Sequence, residues 1–203
     1  MKVLIACERS GITREMFSLA GCEAHSCDLE QSEIRSIYHH KQDILQHLKE
    51  WNDYDMMIAY PPCTHLCVSG ARWFKQKEKE QKEALDFIKQ LMDANIKKIC
   101  IENPIGIIST KIRKPDQIIQ PYQFGHGETK ATCLWLQNLP LLQPTWEVKY
   151  PSNRVHKMPP GEARAFERSR TYIGIAFAMA QQWAHGKVIL KNQPLTNKAI
   201  SNT

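Results

Sequence analysis

The sequence predicts an α/β fold in which a parallel sheet carries helices on both faces. Through the first half of the chain, apolar runs of strand length alternate with amphipathic helical patterns, which is the order of β-α-β units. Polar and reactive residues follow directly after the apolar runs, and the carboxyl ends of parallel strands are where such sheets bind ligands. With 203 residues, the chain is long enough for one domain around one sizeable core.

The predicted strands are short apolar runs bounded by polar or turn residues. They cover Lys2–Ala6, Glu23–Leu29, Asp55–Tyr60, Lys97–Asn103 and Thr132–Leu136. In the first predicted helix, Ser10 is a candidate N-cap, Gly21 ends the helix, and Ile12, Met16 and Leu19 share one face. The other helical patterns cover Asp43–Trp51, Lys75–Ala94 and Ser169–Gly186.

The second half of the chain has a different composition. From Pro104 onward, prolines divide the sequence into short extended pieces, and this proline-rich portion ends where the last helical pattern begins. Because nothing in this stretch reads as a linker between two domains, we predict a single domain over residues 1–186 and a C-terminal tail over residues 187–203.

The net charge of +6 is a mild bias toward a polyanionic partner. The basic residues concentrate in two sets, and such residues either contact phosphates or form a solvated surface. The sets are Lys111, Arg113 and Lys114, and then Arg154, His156, Lys157, Arg164, Arg168 and Arg170.

Cysteine use and hydropathy indicate a cytoplasmic protein. No apolar run reaches the ~18 residues of a membrane span, and the first residues are too short for a secretory signal. The seven cysteines have no framework spacing and are expected to be reduced thiols. Cys63, His65 and Cys67 lack a second ligand pair at zinc spacing, so no metal is expected.

The stretch "DMMIAYPPCTHLCVSGARWF" places Cys63 on a proline-stiffened turn directly after a strand, and Glu102 follows the next strand. A thiol in this position can act as a nucleophile, and a neighbouring acid can handle the matching proton. Methylation of a cytosine ring carbon needs such a pair. The thiolate adds to carbon 6 while the acid protonates or hydrogen-bonds ring nitrogen 3, and carbon 5 then attacks a sulfonium methyl group.

The "PPC" and "ENP" motifs on consecutive strand ends resemble the Pro-Cys and Glu-Asn motifs of DNA (cytosine-5)-methyltransferases. The chain is similar to small phage and prophage-type members of that family over roughly Met1 to Ala184. Two further shared stretches are "QPYQFGHGETKATCLWL" and "RVHKMPPGEARAFERSRTYIGIAFAMAQQW". The resemblance implies a Rossmann-like methyltransferase sheet, S-adenosylmethionine as cofactor, and DNA as substrate with the target base flipped into the pocket.

The resemblance also implies roles for individual residues. Cys63, Glu102 and Asn103 would be catalytic. The loop Ala6–Gly11 would pass under the methionine portion of the cofactor, Asp28 would bind the ribose hydroxyls, and Asp43 would face the adenine amine. The implied cofactor contacts are Ala6, Cys7, Glu8, Gly11, Asp28, Asp43, Tyr60 and Pro61; the implied substrate or nucleic-acid contacts are Pro62, His65, Lys130, Arg154, Arg168 and Arg170.

Several of these residues have structural alternatives that the sequence leaves open. Asp28 could be a turn residue, Asp43 a helix N-cap, and Cys67 a core thiol. Trp73 and Phe74 could line the base pocket or begin a helix core.

The chain departs from the family pattern in three ways. The first loop has a single glycine, Gly11, with Glu8 and Arg9 at the turn; the Gln-x-Arg-x-Arg element is replaced at best by Lys130, Thr132 and Arg170. Only about thirty residues stand where the family has a large target-recognition region, although base-specific modules typically bury ~1,000 Å² or more. Sequence specificity should therefore be poor, short or supplied by a partner.

Three alternatives remain open at this point. The same chemistry could act on RNA or a nucleotide, the enzyme could methylate a base nitrogen, or the chain could be a nucleic-acid-binding module on a degenerate methyltransferase scaffold.

Overall fold

A computed structural model of the protein describes residues 1–51, 53–67, 77–154 and 170–186. These residues form a seven-stranded sheet with the spatial order β3-β2-β1-β4-β5-β7-β6. The strands are β1 (Lys2–Ala6), β2 (Glu23–Asp28), β3 (His39–Lys41), β4 (Met56–Ala59), β5 (Lys98–Pro104), β6 (Gln117–Ile119) and β7 (Thr132–Gln137). The helices are α1 (Ile12–Leu19), α2 (Ile44–Glu50), α3 (Glu78–Met92), α4 (Ile108–Lys111) and α5 (Ile173–Met179), which continues as a π-helical turn over Ala180–Ala184.

The sheet is mixed, so the prediction of a parallel sheet was only partly right. Five neighbouring strands run parallel: β3, β2, β1, β4 and β5, in spatial order. Strand β7 pairs antiparallel with both β5 and β6. Strand β7 lies between β5 and the edge strand β6, so the antiparallel pairing is confined to one side of the sheet, next to an otherwise parallel set. The predicted fold class, a Rossmann-like α/β sheet with flanking helices, is confirmed.

Burial on both faces explains why the central strands read as continuous apolar runs. Every residue of β4 is fully buried, as are Val3 to Ala6 of β1. One core cluster contains Phe17 of α1 and Met179 of α5, and the other contains Ile44 of α2 and Ile88 of α3. The helices therefore cover both faces of the sheet, as the sequence predicts.

Helix α1 buries a different face from the predicted one. Thr13, Arg14 and Phe17 are buried, whereas Leu19 is 79% exposed. The Arg14 guanidinium reaches the hydroxyl of Ser26 at 3.0 Å and the carbonyl of Ile34 at 2.9 Å. A count of apolar residues misses this face because a hydrogen-bonded arginine occupies its centre.

Two short strands, β3 and β6, were not predicted. Each has three residues and lies at an edge of the sheet, where few side chains are buried. Strand β1 has the predicted bounds, and the other four predicted strands differ by one residue at one or both ends.

No helix in the described ranges is long and apolar enough to cross a membrane. The predicted tail, residues 187–203, lies outside the described residues, so the domain boundary remains a prediction.

Candidate functional site

The carboxyl ends of three adjacent strands lie side by side, and we call this side of the sheet its carboxyl edge. Ala6 of β1 pairs with Ala59 of β4, which in turn pairs with Ile101 of β5. Cys7 and Tyr60 begin the segments that follow β1 and β4, and Glu102 lies beside them in the last part of β5. This is the edge where α/β sheets bind ligands.

The loop after β4 forms a tight turn around Cys63. The Cys63 carbonyl accepts hydrogen bonds from the amides of Leu66 and Cys67, both at 3.0 Å. The Ile107 amide donates to the Leu66 carbonyl at 2.9 Å, and Cys67 forms an isolated antiparallel bridge with Gly106. The segment after β5 thus fixes the far end of the turn.

Asn103 fixes the near end of the same turn. Its side chain is 1% exposed, and Nδ2 donates to the Pro61 carbonyl at 2.8 Å. Its Oδ1 is buried and accepts no hydrogen bond within the part of the chain that the structure describes. A buried polar atom without a partner is unfavourable, so Asn103 keeps one unsatisfied polar atom among the described residues.

The Cys63 thiol is half-buried and forms a hydrogen bond with the Cys67 thiol. That hydrogen bond and burial raise the pKa of Cys63 well above its ordinary value, and the charge of Glu102 adds to the effect. The Lys130 ammonium acts in the opposite direction. Glu102 and Lys130 are therefore close enough for their charges to act on the Cys63 sulfur.

Burial also raises the pKa of Glu102, although the Lys130 ammonium and a hydrogen bond with the Thr132 hydroxyl counteract it. A carboxyl group with a raised pKa retains its proton more readily near neutral pH and can donate it. The edge of the sheet thus combines a thiol, a carboxylic acid and one ammonium group.

The loop after β1 approaches this edge with an unusual backbone. Cys7 has a φ of 57°, and its amide donates to the Cys27 carbonyl at 2.8 Å. Gly11 has a φ of 76°, and an added Cβ would come 2.7 Å from the Ser32 hydroxyl oxygen. The conformation and the contact both favour glycine at position 11, although the wider glycine-rich pattern is absent.

Glu8 lies in the same loop but its carboxylate serves helix α1. Oε1 accepts hydrogen bonds from the Ser10 hydroxyl and the Thr13 amide, both at 2.8 Å. The side chain thus does the work predicted for Ser10, whose hydroxyl accepts only a longer bond of 3.2 Å from the Ile12 amide. A contact between Glu8 and a cofactor stays a prediction, and Glu8 is only 3% exposed.

Asp28 ends β2 at the same edge and is half-exposed. Its Oδ1 accepts a hydrogen bond from the Glu30 amide at 2.8 Å, so the turn alternative is observed. Its other oxygen, Oδ2, accepts no hydrogen bond from the described residues. Burial and the charge of Asp28 raise the pKa of Cys7, so the carboxylate lies close to the loop after β1.

Asp43 is the N-cap of α2, which confirms the structural alternative for this residue. Its Oδ1 accepts from the amides of Leu45 at 2.7 Å and Gln46 at 3.2 Å. The side chain is exposed and also raises the pKa of Cys7, though less than burial and Asp28 do. A contact with an adenine amine stays a prediction.

Tyr60 lies between the loop after β1 and the last helix. Its hydroxyl forms a hydrogen bond with the Thr13 hydroxyl at 2.9 Å and lies 3.8 Å from the Met179 sulfur. Pro61 is buried, whereas Pro62 is exposed beside Cys63. His65 is half-buried, and its Nδ1 has no hydrogen-bond partner among the described residues.

The predicted basic contacts divide into three groups. Lys130 lies at the site, as described above. Arg154 forms an ion pair with Glu128, and Arg170 lies 3.9 Å from Glu33. Arg168 lies outside the described residues, as do Trp73, Phe74, His156, Lys157 and Arg164.

The sequence analysis missed two residues next to Lys130. Glu128 and Tyr172 form a hydrogen bond of 2.6 Å, and the Lys130 ammonium lies over the Tyr172 ring. The signal for Glu128 was its position two residues before Lys130 in an extended segment, which places both side chains on one side. Nothing local marks Tyr172, which lies more than forty residues further along the chain.

Within the described ranges, no three His, Cys, Asp or Glu side chains come together as a metal site.

Comparison with known proteins gives structural neighbours only. No family model and no curated protein matches the chain. A protein described as a DNA modification methyltransferase encoded within an E. coli prophage has 14% sequence identity and a TM-score of 0.48, covering 79% of this chain and 55% of that chain. A mutant of Spodoptera frugiperda DNMT2 has 16% identity and a TM-score of 0.44, covering 75% of this chain and 56% of that chain. The chain thus spans little more than half the length of either neighbour.

Proposed function

We propose that this protein is an S-adenosylmethionine-dependent methyltransferase that methylates carbon 5 of cytosine in DNA. The proposal is supported by Cys63, which follows β4, and Glu102, which lies near the carboxyl end of the neighbouring strand β5 and whose charge adds to the raised pKa of Cys63. Cys63 is the nucleophile and Glu102 is the acid.

The chemistry follows from the two groups. The thiol first loses its proton to solvent, and the thiolate adds to carbon 6 of the pyrimidine ring. Glu102, whose pKa is raised by burial, donates a proton to ring nitrogen 3, so that electron density moves onto carbon 5. When bound, S-adenosylmethionine supplies the electrophilic methyl group. Carbon 5 then loses its proton to solvent, the thiolate leaves carbon 6, and ring nitrogen 3 returns its proton to Glu102, which restores the ring and the acid.

Asn103 and Pro61 position the nucleophile in this scheme. The hydrogen bond from Asn103 Nδ2 to the Pro61 carbonyl ties the cysteine turn to β5, the strand that carries Glu102. Preorganisation of this kind supports catalysis because reacting groups already held in place need little reordering.

The crevice at the ends of β1 and β2 suits the cofactor. Asp28 presents a half-exposed carboxylate that can accept both hydroxyl hydrogens of a ribose. Asp28 and Asp43 together place negative charge near Cys7, which favours a ligand with a sulfonium and an ammonium group. Tyr60, Pro61 and the loop Ala6–Gly11 would form the rest of this site, with Glu8 and Asp43 contributing mainly through the helices that they cap.

Duplex DNA must present its base to a pocket at this depth by flipping it out of the stack. Pro62 and His65, next to the nucleophile, would contact the flipped base, and Lys130 lies beside both catalytic groups. Because only about thirty residues lie between Pro140 and Ser169, too few for a large module that reads base pairs, we expect short or weak sequence preference.

The test uses the full chain with labelled S-adenosylmethionine and duplex DNA, single-stranded DNA, RNA and free nucleotides. Cys63→Ser should abolish methyl transfer while calorimetry shows nearly unchanged cofactor binding. DNA containing 5-fluorocytosine should trap a covalent adduct, detected as a mass increase on the peptide with Cys63. Cys22 is a half-buried thiol directly before β2, and Cys22→Ser is the matched control that should retain activity.

Full activity in Cys63→Ser would refute the nucleophile assignment and favour methylation of a base nitrogen. Transfer to RNA or nucleotides alone would retain the chemistry and change the substrate. Lack of cofactor binding in calorimetry would favour a binding module.

A further inference from the structure

We propose that Glu128, Arg154 and Tyr172 form a positioning network that holds the Lys130 ammonium group beside Cys63 and Glu102. Its catalytic meaning rests on the proposed function, but the network itself is defined by contacts among residues outside the "PPC" and "ENP" motifs. None of the three residues touches the reacting atoms, so each is a positioning residue.

The network is a continuous series of contacts. Arg154 Nε donates to Glu128 Oε1 at 2.9 Å, and the Tyr172 hydroxyl donates to Glu128 Oε2 at 2.6 Å. The Lys130 ammonium nitrogen lies 5.5 Å from the centre of the Tyr172 ring, within the range of a cation–π interaction. Both carboxylate oxygens of Glu128 therefore accept hydrogen bonds, and the bond from the Tyr172 hydroxyl orients the Tyr172 ring under the Lys130 ammonium group.

Contacts between the start of α5 and the segment before Lys130 hold Tyr172 close to Glu128 and Lys130. The Gly174 amide donates to His126 Nε2 at 2.9 Å, and the His126 ring packs edge-on against Tyr172 at 4.9 Å between ring centres. An added Cβ at Gly174 would come 1.9 Å from the Phe124 carbonyl oxygen, so the start of α5 packs directly on the segment before Lys130. This close packing fixes the ring relative to β7.

The Glu128 side chain is mostly buried and accepts hydrogen bonds from two partners. Its side chain is 17% exposed, whereas that of Arg154 is 56% exposed. Burial raises the pKa of Glu128, but the hydrogen bonds from Tyr172 and Arg154 outweigh burial and lower it. An ion pair with one partly buried member and two donors is more specific than an exposed pair.

Lys130 connects the network to the reacting groups. The Thr132 hydroxyl donates to the Lys130 carbonyl at 3.1 Å and also forms a hydrogen bond with the Glu102 side chain. The ammonium group lowers the pKa of both Cys63 and Glu102. Displacing the ammonium should therefore leave a smaller thiolate fraction at a given pH, and thiolate is the form that reacts with alkylating agents.

The test is the rate of Cys63 alkylation by iodoacetamide in the intact protein, followed by fragment-resolved mass spectrometry without cofactor or nucleic acid. Cys22 in the same sample is the internal reference, and labelling of the fully buried Cys100 reports unfolding. Lys130→Ala and Tyr172→Leu should each lower the Cys63 rate relative to Cys22 by about two- to fivefold. Tyr150→Leu, which changes a tyrosine that is 91% exposed, should have no effect.

Non-additivity separates positioning from a general structural role. If Tyr172 acts through Lys130, the double variant should react no more slowly than Lys130→Ala alone. Tyr172→Phe, which retains the ring and loses the hydroxyl, should give a smaller loss, matched by Glu128→Gln. If labelling of Cys100 shows that Tyr172→Leu unfolds, the test uses Tyr172→Phe and Glu128→Gln in its place.

An unchanged Cys63 rate in Tyr172→Leu, or a double variant whose losses multiply, would overturn the proposal. The proposed function fails separately, because it predicts methyl transfer, which the alkylation assay does not measure. In an active enzyme, the same variants should lower kcat more than they raise KM.

Discussion

Replacing Gly106 by alanine should displace the cysteine turn without touching a catalytic group. An added Cβ at this position would come 2.2 Å from the Leu66 carbonyl oxygen, 2.9 Å from its carbon and 3.1 Å from Cys67 Cα. All three atoms belong to the backbone, so no side-chain rotation relieves the contact. The turn that ends at Cys67 must move away by roughly 1 Å to restore van der Waals distances.

The size of the effect follows from what the movement breaks. Overpacking in a well-packed region costs about 1–3 kcal/mol, and loss of the 2.9 Å hydrogen bond from the Ile107 amide to the Leu66 carbonyl adds about 0.5–1.5 kcal/mol. For a domain of this size, 1 kcal/mol corresponds to about 2–4 °C in Tm, so Tm should fall by at least several degrees. Misplacing a nucleophile by roughly 1 Å can cost about 100-fold in rate.

Thermal denaturation and the labelled-methyl assay measure the two effects. Gly127→Ala is the matched control, because an added Cβ there meets nothing within 4 Å, and it should change Tm and rate little. If Gly106→Ala has the Tm and activity of Gly127→Ala, then the contact between the two loops does not position Cys63.

Two further sets of variants test the N-cap of α2 and the titration of His47. Asp43→Ala should lower the stability by about 1 kcal/mol because the amides of Leu45 and Gln46 lose their acceptor, whereas Asp43→Asn should restore most of it in thermal denaturation; equal losses in both would contradict the cap. Burial and the nearby His40 lower the pKa of His47 to about 4, below its ordinary value of 6.5, so the unfolded state binds more protons between these values and stability should fall as pH drops through that window. Tm of the native protein should therefore fall more between pH 7.5 and pH 5 than Tm of His47→Gln, and parallel decreases would refute this assignment.

The sequence predicted the central strands because both of their faces are buried, so apolar residues run without interruption. Short edge strands carry no such pattern, which is why β3 and β6 escaped prediction. The sequence also did not show that β7 runs antiparallel to β5, since residue composition does not distinguish a parallel from an antiparallel neighbour. The buried face of α1 was missed because the buried Arg14 is counted as polar.

For the candidate site, the sequence located residues but not their partners. Cys63 and Glu102 were found because reactive residues after buried strands stand out against apolar runs. The hydrogen bonds of Glu8 and the link from Glu128 to Tyr172 depend on where a side chain points and on distant segments meeting. Local patterns contain neither kind of information, so these contacts needed the structure.

The charge balance of the site explains why a lysine accompanies the thiol and the acid. A thiolate and a carboxylate held close together repel each other, so the two groups do not readily ionise together. The proposed reaction needs one particular state, with Cys63 ionised and Glu102 protonated. Among the described residues, the Lys130 ammonium favours both anions. A base whose ring nitrogen accepts a hydrogen bond from Glu102 would keep the proton on Glu102 and leave the negative charge on the Cys63 sulfur.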